Sequence, residues 1–215
     1  MTTLTISRIH FPVTTLGPGR RIGIWFQGCS IRCPGCISAD TWARLPANAT
    51  VSHVLSLCDK YSDCAEGITI TGGEPFEQSD ALRELLVGLR DHFTPPIDIL
   101  VYSGKPFHDV LPYIGKWPGL IDALISEPYA MTEEQTKPLM GSDNQELHLL
   151  TPLGQRRYQE YQRLRSAEDD RFDIAFDATG TVWMAGIPRR GDLEQLKTIL
   201  SEQGITIYTS EQISR

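Results

Sequence analysis

The chain has no run of apolar residues long enough to cross a bilayer. Its richest stretches, residues 22–26 and 97–102, fall far short of the roughly 18 residues a spanning helix requires. Residues 1–20 carry no charged-then-apolar export signal, so a cytoplasmic location is expected. Positive charge is also scarce, with 20 Lys and Arg against 27 Asp and Glu for a net charge of -7. That balance argues against the broad phosphate-binding surface of a nucleic-acid protein. The basic clusters that do occur, Arg20-Arg21, Arg156-Arg157 with Arg163 and Arg165, and Arg189-Arg190, read as solvated faces and element ends. There is no internal repeat and no low-complexity tract. Five cysteines, an odd number in a chain without an export signal, argue against a disulfide framework.

What is present fits an ordinary globular domain. The 215 residues, 40% apolar and 22% charged, suffice for one principal core with an appendage. Strand-like alternation over residues 4–10 is followed by a Gly17-Pro18-Gly19 turn and a compact apolar strand at 21–27. Residues 51–61 are helix-like, 67–71 form a β-branched strand, and Gly72-Gly73-Glu74-Pro75 breaks it. Ser79-Asp80 can cap a helix that places Leu82, Leu85, Leu86 and Leu89 on one face. A strand at 97–102, a helix at 106–114 and a strand at 120–125 continue the alternation. Such βαβ units make a parallel sheet whose ligands bind at the carboxyl ends of the strands, so Gly28-Cys29 and the Gly72–Pro75 loop should open on one rim. Beyond about residue 150 the pattern changes. A charged, exposed helix is expected at 155–170, then a hairpin of strands 172–177 and 181–185 turning at Ala178-Thr179-Gly180, a helix at 191–203 and a strand at 205–209.

Cys29, Cys33 and Cys36 offer three thiolates at x3 and x2 spacing. A [4Fe–4S] cubane normally takes four cysteines, so three would leave one iron open as a reaction site. The competing reading is a structural zinc knuckle completed by His53 or Cys58. Cys58 and Cys64, with x5 spacing and no cysteine downstream, read as ordinary buried thiols. The five histidines show no metal-pair spacing.

The Gly17-Pro18-Gly19 turn, the strand ending in Gln27-Gly28-Cys29, the x3/x2 cysteines and the Gly-Gly-Glu-Pro loop after the next strand together resemble the radical S-adenosylmethionine superfamily. Within it the chain is most similar to the anaerobic ribonucleotide reductase activating proteins, which are glycyl-radical activases. Gly35 before the third cysteine, the segment from Val101 to Gly104, residues 121–129 and residues 141–145 extend the likeness over about residues 10–150. The resemblance implies a partial (β/α) barrel, open on one side, over 1–150, with a small α+β extension at 151–215. It implies an oxidoreductase in which Cys29, Cys33 and Cys36 hold the [4Fe–4S] cluster and S-adenosylmethionine chelates the open iron. One electron, from a donor such as flavodoxin or ferredoxin, would release a 5′-deoxyadenosyl radical.

The same resemblance places cofactor contacts on Gly72, Gly73, Glu74 and Pro75 for the methionyl ammonium and on Ser103 for the carboxylate. Ser126 or Glu127 would serve the ribose, where the activases show Asp-Gly-Pro and this chain has Ser126-Glu127-Pro128, and Asn144 would face the cofactor. No residue is assigned as an acid or base. The implied substrate is a backbone glycine of a partner glycyl-radical enzyme. The alternatives are direct action on a small molecule or peptide, and a non-catalytic cluster-binding subunit. The short activases lack the extension.

Overall fold

A computed structural model describes residues 1–176 and 182–205. Its strands and helices run β1 (Thr3–Leu4), β2 (Ile6–Val13), β3 (Arg21–Phe26), β4 (Ala49–Thr50), α1 (Val51–Asp59), β5 (Gly67–Gly72), α2 (Ser79–His92), β6 (Asp98–Tyr102), α3 (Phe107–Lys116), β7 (Ala123–Ser126), β8 (Glu146–Leu149), α4 (Pro152–Tyr158), β9 (Phe172–Phe176), β10 (Val182–Gly186) and α5 (Asp192–Glu202). The fold is mixed α/β around one six-stranded sheet of order β2-β3-β5-β6-β7-β8. The pairs β3/β5, β5/β6 and β6/β7 are parallel, and the edge strands β2 and β8 are antiparallel to their neighbours. The sheet is open: among the described residues its two edges do not pair with each other.

The central strands are buried because they are covered on both faces, which is why they read as continuous apolar runs rather than as alternating ones. α2 supplies one cover with Leu82, Leu85, Leu86 and Leu89, all fully buried. At about 1.5–3 kcal/mol for each such side chain, this face anchors the helix far more strongly than its caps can. Ser79-Asp80 does not cap it. The 3-10 turn Pro75–Gln78 runs directly into α2, and the capping carboxylate is Glu74, which accepts from the Phe76 amide at the start of that turn.

Other expectations are corrected by what packs where. β8, unforeseen in the sequence, adds an antiparallel edge to β7. The helix expected at 155–170 ends at Tyr158, a fully buried residue, and gives way to short 3-10 turns at Gln159–Tyr161 and Ala167–Asp169. Arg21 is not on a solvated face. It is buried, with Nη2 on Asp98 Oδ2 at 2.7 Å and on the Ile68 carbonyl at 2.6 Å, Nε on Thr69 Oγ1 at 2.6 Å, and Nη1 on the Pro18 carbonyl at 3.0 Å. Cys64 is exposed, whereas Cys58 lies in the core with its thiol pushed up to about 12 by burial.

Described residues beyond 150 pack against the sheet through α4 and through the β9/β10 hairpin. Arg157 Nε meets Asp98 Oδ1 at 2.9 Å, and Tyr158 donates to Asp98 Oδ2. Thr14 and Thr15 bind Asp173, Thr15 also donates to the Ala185 carbonyl, and Trp183 stacks edge-on against His10 and Trp25. Trp25 therefore faces the β9/β10 hairpin. α5 is only partly covered along Leu193, Leu196 and Leu200. The turn at 178–180, the strand expected over 205–209 beyond Ile205, and the side chain of Phe176 lie outside the described residues.

Candidate functional site

The site is built where β3 and β5 end together. Their parallel register pairs Phe26 with Gly72, so the two following loops leave the sheet side by side. The amide of Gly73 donates to the Phe26 carbonyl at 2.8 Å and that of Glu74 to the Gly28 carbonyl at 2.9 Å. Gly28 and Gly72 both take positive φ (100° and 95°) to make this crossing. A Cβ on Gly73 would collide with the Gly28 carbonyl, which is rigid backbone. Among the described residues no donor meets the carbonyl of Gly73 itself, leaving an acceptor on the rim.

The cysteine loop is pinned at its base. Gly28 and Cys29 donate to the carbonyls of Thr41 and Trp42, Gln27 Nε2 to that of Ala43, and Glu77 accepts from the amide and hydroxyl of Ser30. Between these anchors Cys29, Cys33 and Cys36 are free and half-buried. Burial raises all three thiols above their ordinary value. Hydrogen bonds from protein groups pull the other way: the amides of Ile31 and Arg32 at Cys29, those of Tyr129 and Cys33 at Cys33, and the Ser38 amide with the Trp42 side chain at Cys36. N–H groups directed at sulfur favour thiolate and tune the potential of any cluster held there.

Among the described residues no three His, Cys, Asp or Glu side chains converge as ligands of a single ion. The zinc reading needs such convergence, and its fourth ligands diverge, with His53 exposed and Cys58 in the core. A cubane binds each thiolate at a different iron, so three separated thiols in one loop suit it.

Glu74 is buried beneath the rim, and that burial raises its carboxyl above the ordinary value. Three donors oppose the shift: the Phe76 amide at 3.0 Å, Ser103 Oγ at 2.9 Å and the Gly104 amide at 2.8 Å. Ser103 thus spends its one proton on Glu74, and its oxygen accepts from the Lys105 amide. As placed it holds the neighbouring loop. Pro75 is buried at the start of the 3-10 turn and fixes the exit of the loop.

Farther along the rim, Ser126 at the end of β7 is buried, with Oγ 2.9 Å from His148 Nε2. Burial lowers His148, against the opposing pull of Glu146 and Glu127. Glu127 follows at φ 79°, its carboxylate accepting from the Phe107 amide at 2.9 Å. Asn144 donates to the Pro128 carbonyl at 2.8 Å, and its Oδ1 is buried with no hydrogen-bond partner. A buried acceptor of that kind costs about 1–3 kcal/mol unless a ligand or water meets it. Trp42, Glu77, Tyr129 and His148 were not singled out from the sequence. They act through backbone geometry and distant packing, for which no spacing signal exists.

Residues 15–148 match the protein family described as "4Fe-4S single cluster domain". The anaerobic ribonucleoside-triphosphate reductase-activating protein of Enterobacteria phage T4 is 31% identical over 140 residues, covering 61% of this chain and 85% of that protein. The pyruvate formate-lyase-activating enzyme of Staphylococcus aureus (strain USA300) is 31% identical over 85 residues, 37% of this chain and 34% of that enzyme. Among solved structures, QueE from Escherichia coli is similar at a TM-score of 0.36 and 19% identity, covering 47% of this chain and 53% of that one. Residues beyond 148 lie outside the family match.

Proposed function

Because the chain belongs to the 4Fe-4S single cluster domain family, we propose that it is a radical S-adenosylmethionine enzyme of the glycyl-radical-activating kind. Cys29, Cys33 and Cys36 would hold one [4Fe–4S] cluster, leaving one iron open to S-adenosylmethionine. When bound, this pair supplies reductive cleavage to methionine and a 5′-deoxyadenosyl radical that takes a hydrogen atom from the substrate. The chain's own residues bind and orient. The Gly72-Gly73-Glu74-Pro75 loop receives the methionyl ammonium on the free Gly73 carbonyl, with Glu74 and Ser103 bracing it from below. Asn144 turns its unpartnered oxygen to the cofactor, and Ser126 and Glu127 line the ribose side. The 1–150 segment forms the partial (β/α) barrel core, and 151–215 is the extension beside it.

The substrate we propose is a backbone glycine of a partner glycyl-radical enzyme, with a flavodoxin- or ferredoxin-like protein as electron donor in the cytoplasm. The observation that carries this reading is an accessible rim among the described residues: Pro34 and Gly35 are exposed, the three thiols are only half-buried, and the described part of the extension meets the loop at Ile37. A peptide loop can reach such a rim. The test is to incubate reduced holoenzyme and S-adenosylmethionine with a candidate glycyl-radical protein whose glycines are deuterated. Deuterium appearing in 5′-deoxyadenosine supports the reading. Deuterium acquired only from a labelled small molecule, never from protein, moves the assignment to direct small-molecule chemistry.

A further inference from the structure

The extension and the segment around Gln135 and Thr136 together line a cleft. Its volume is about 430 Å³, and its lining is Gln135, Thr136, Leu164, Arg165, Arg189 and Arg190. Three guanidinium groups line it and no carboxylate does, in a chain whose net charge is -7. Arg165 is the unusual member. Its side chain is only 4% exposed, its Nε meets Asp170 Oδ1 at 2.8 Å, and its Nη2 donates to the Ile187 carbonyl at 2.5 Å. Among the described residues its Nη1 is buried with no hydrogen-bond partner. A buried cationic donor left unmade is costly, and an acceptor that reaches it removes the cost.

The remaining charges do not cancel the site. Asp170 is shared between Arg165 and Arg189, whose Nη2 lies 2.6 Å from Asp170 Oδ2. Asp192 stands behind Arg189, accepting from its backbone amide at 2.8 Å. Asp143 is occupied by the amide and hydroxyl of Thr136. Arg190 rests on the backbone carbonyls of Ala130 and Glu133 and has no carboxylate partner among the described residues. One wall is apolar: Leu164 is 73% exposed at the cleft. Arg190 also ties the cleft to the segment 130–133.

We propose that this cleft binds the phosphate of a phosphorylated organic molecule, with Arg165, Arg189 and Arg190 holding the phosphoryl oxygens and Leu164 meeting the organic part. Arginine forks match phosphate oxygens in pairs, and a cleft of this volume lies in the range of small-ligand sites. The proposal stands apart from the radical chemistry, since binding needs neither reductant nor S-adenosylmethionine.

The test is calorimetric titration of the full-length, anaerobically cluster-loaded protein with inorganic phosphate and with ribose 5-phosphate at fixed ionic strength. Saturable one-site binding is expected for both, tighter for the monoester. Arg190→Gln, an exposed change that leaves the Arg165–Asp170 pair intact, should weaken both about tenfold, one charge-assisted contact's worth. Leu164→Ser should weaken only the monoester. Arg156→Gln, an exposed arginine on α4 outside the cleft, should change neither. Absent saturable binding, or equal losses in the Arg190 and Arg156 variants, would overturn the site, and a monoester no tighter than inorganic phosphate would overturn the organic ligand. Failure of S-adenosylmethionine cleavage with phosphate binding intact would count against the radical reading alone.

Discussion

Gly73 carries the most constraint for the smallest side chain. Any Cβ there must displace the Gly28 carbonyl, and through it the backbone of Cys29. Overpacking against rigid backbone costs about 1–3 kcal/mol, so Gly73→Ala should lower the melting temperature and reduce both cluster content and 5′-deoxyadenosine yield. Unchanged values for all three would show that the two loops are not coupled. His148 gives a pH signature. Burial depresses its folded pKa below the ordinary 6.5, so the neutral ring is the form the fold prefers. Stability from this group is therefore full above pH 6.5 and is lost as pH falls from there through the folded value. Denaturant midpoints measured across that window should fall less steeply in His148→Gln than in the parent, and identical slopes would contradict the assignment. At this scale the three cysteines and the glycine loop were legible, because spacing and backbone permissiveness are written in residue type. The partners of Ser103 and Asn144 were not, because hydrogen-bond targets depend on which loops the fold brings together.

Elements were legible where periodicity was strong. α2 and the buried strands β3, β5 and β6 follow their apolar patterns, and the shared rim follows from parallel order alone. β8 was missed because its Glu146-Leu147-His148-Leu149 is short and polar at alternate positions, and it exists only by pairing with β7. The stretch after Pro152 failed as a long helix because Tyr158 leaves solvent to reach Asp98. That contact makes Asp98 a hub: Arg21, Arg157 and Tyr158 all converge on one buried carboxylate. Removing one partner of a buried pair costs about 3–5 kcal/mol, so Asp98→Ala should lower unfolding free energy by that amount. Tyr158→Phe, which deletes a single hydrogen bond, should cost about 1–3 kcal/mol. Chemical denaturation of the full chain distinguishes these, and an Asp98→Ala variant as stable as the parent would remove the hub from the account. Truncation after residue 150 discards Arg157 and Tyr158 together and should destabilise the sheet by more than Tyr158→Phe does.

At the scale of the whole molecule, one mostly parallel sheet delivers the ends of β3, β5, β6 and β7 to a single rim, and the cysteine loop stands on it. On the proposed function, this rim holds a cluster on three cysteines and cleaves S-adenosylmethionine there. The most direct measurement is 5′-deoxyadenosine formed by anaerobically reconstituted, dithionite-reduced protein, alongside iron and sulfide content, for the parent and single cysteine variants. About four iron and four sulfide per chain are expected, with product formed by the parent and by Cys58→Ala and Cys64→Ala. Cys29→Ala, Cys33→Ala and Cys36→Ala should each lose both cluster and product. A cluster-replete parent that yields no 5′-deoxyadenosine, or a Cys33→Ala protein that keeps its cluster and its product, would contradict it.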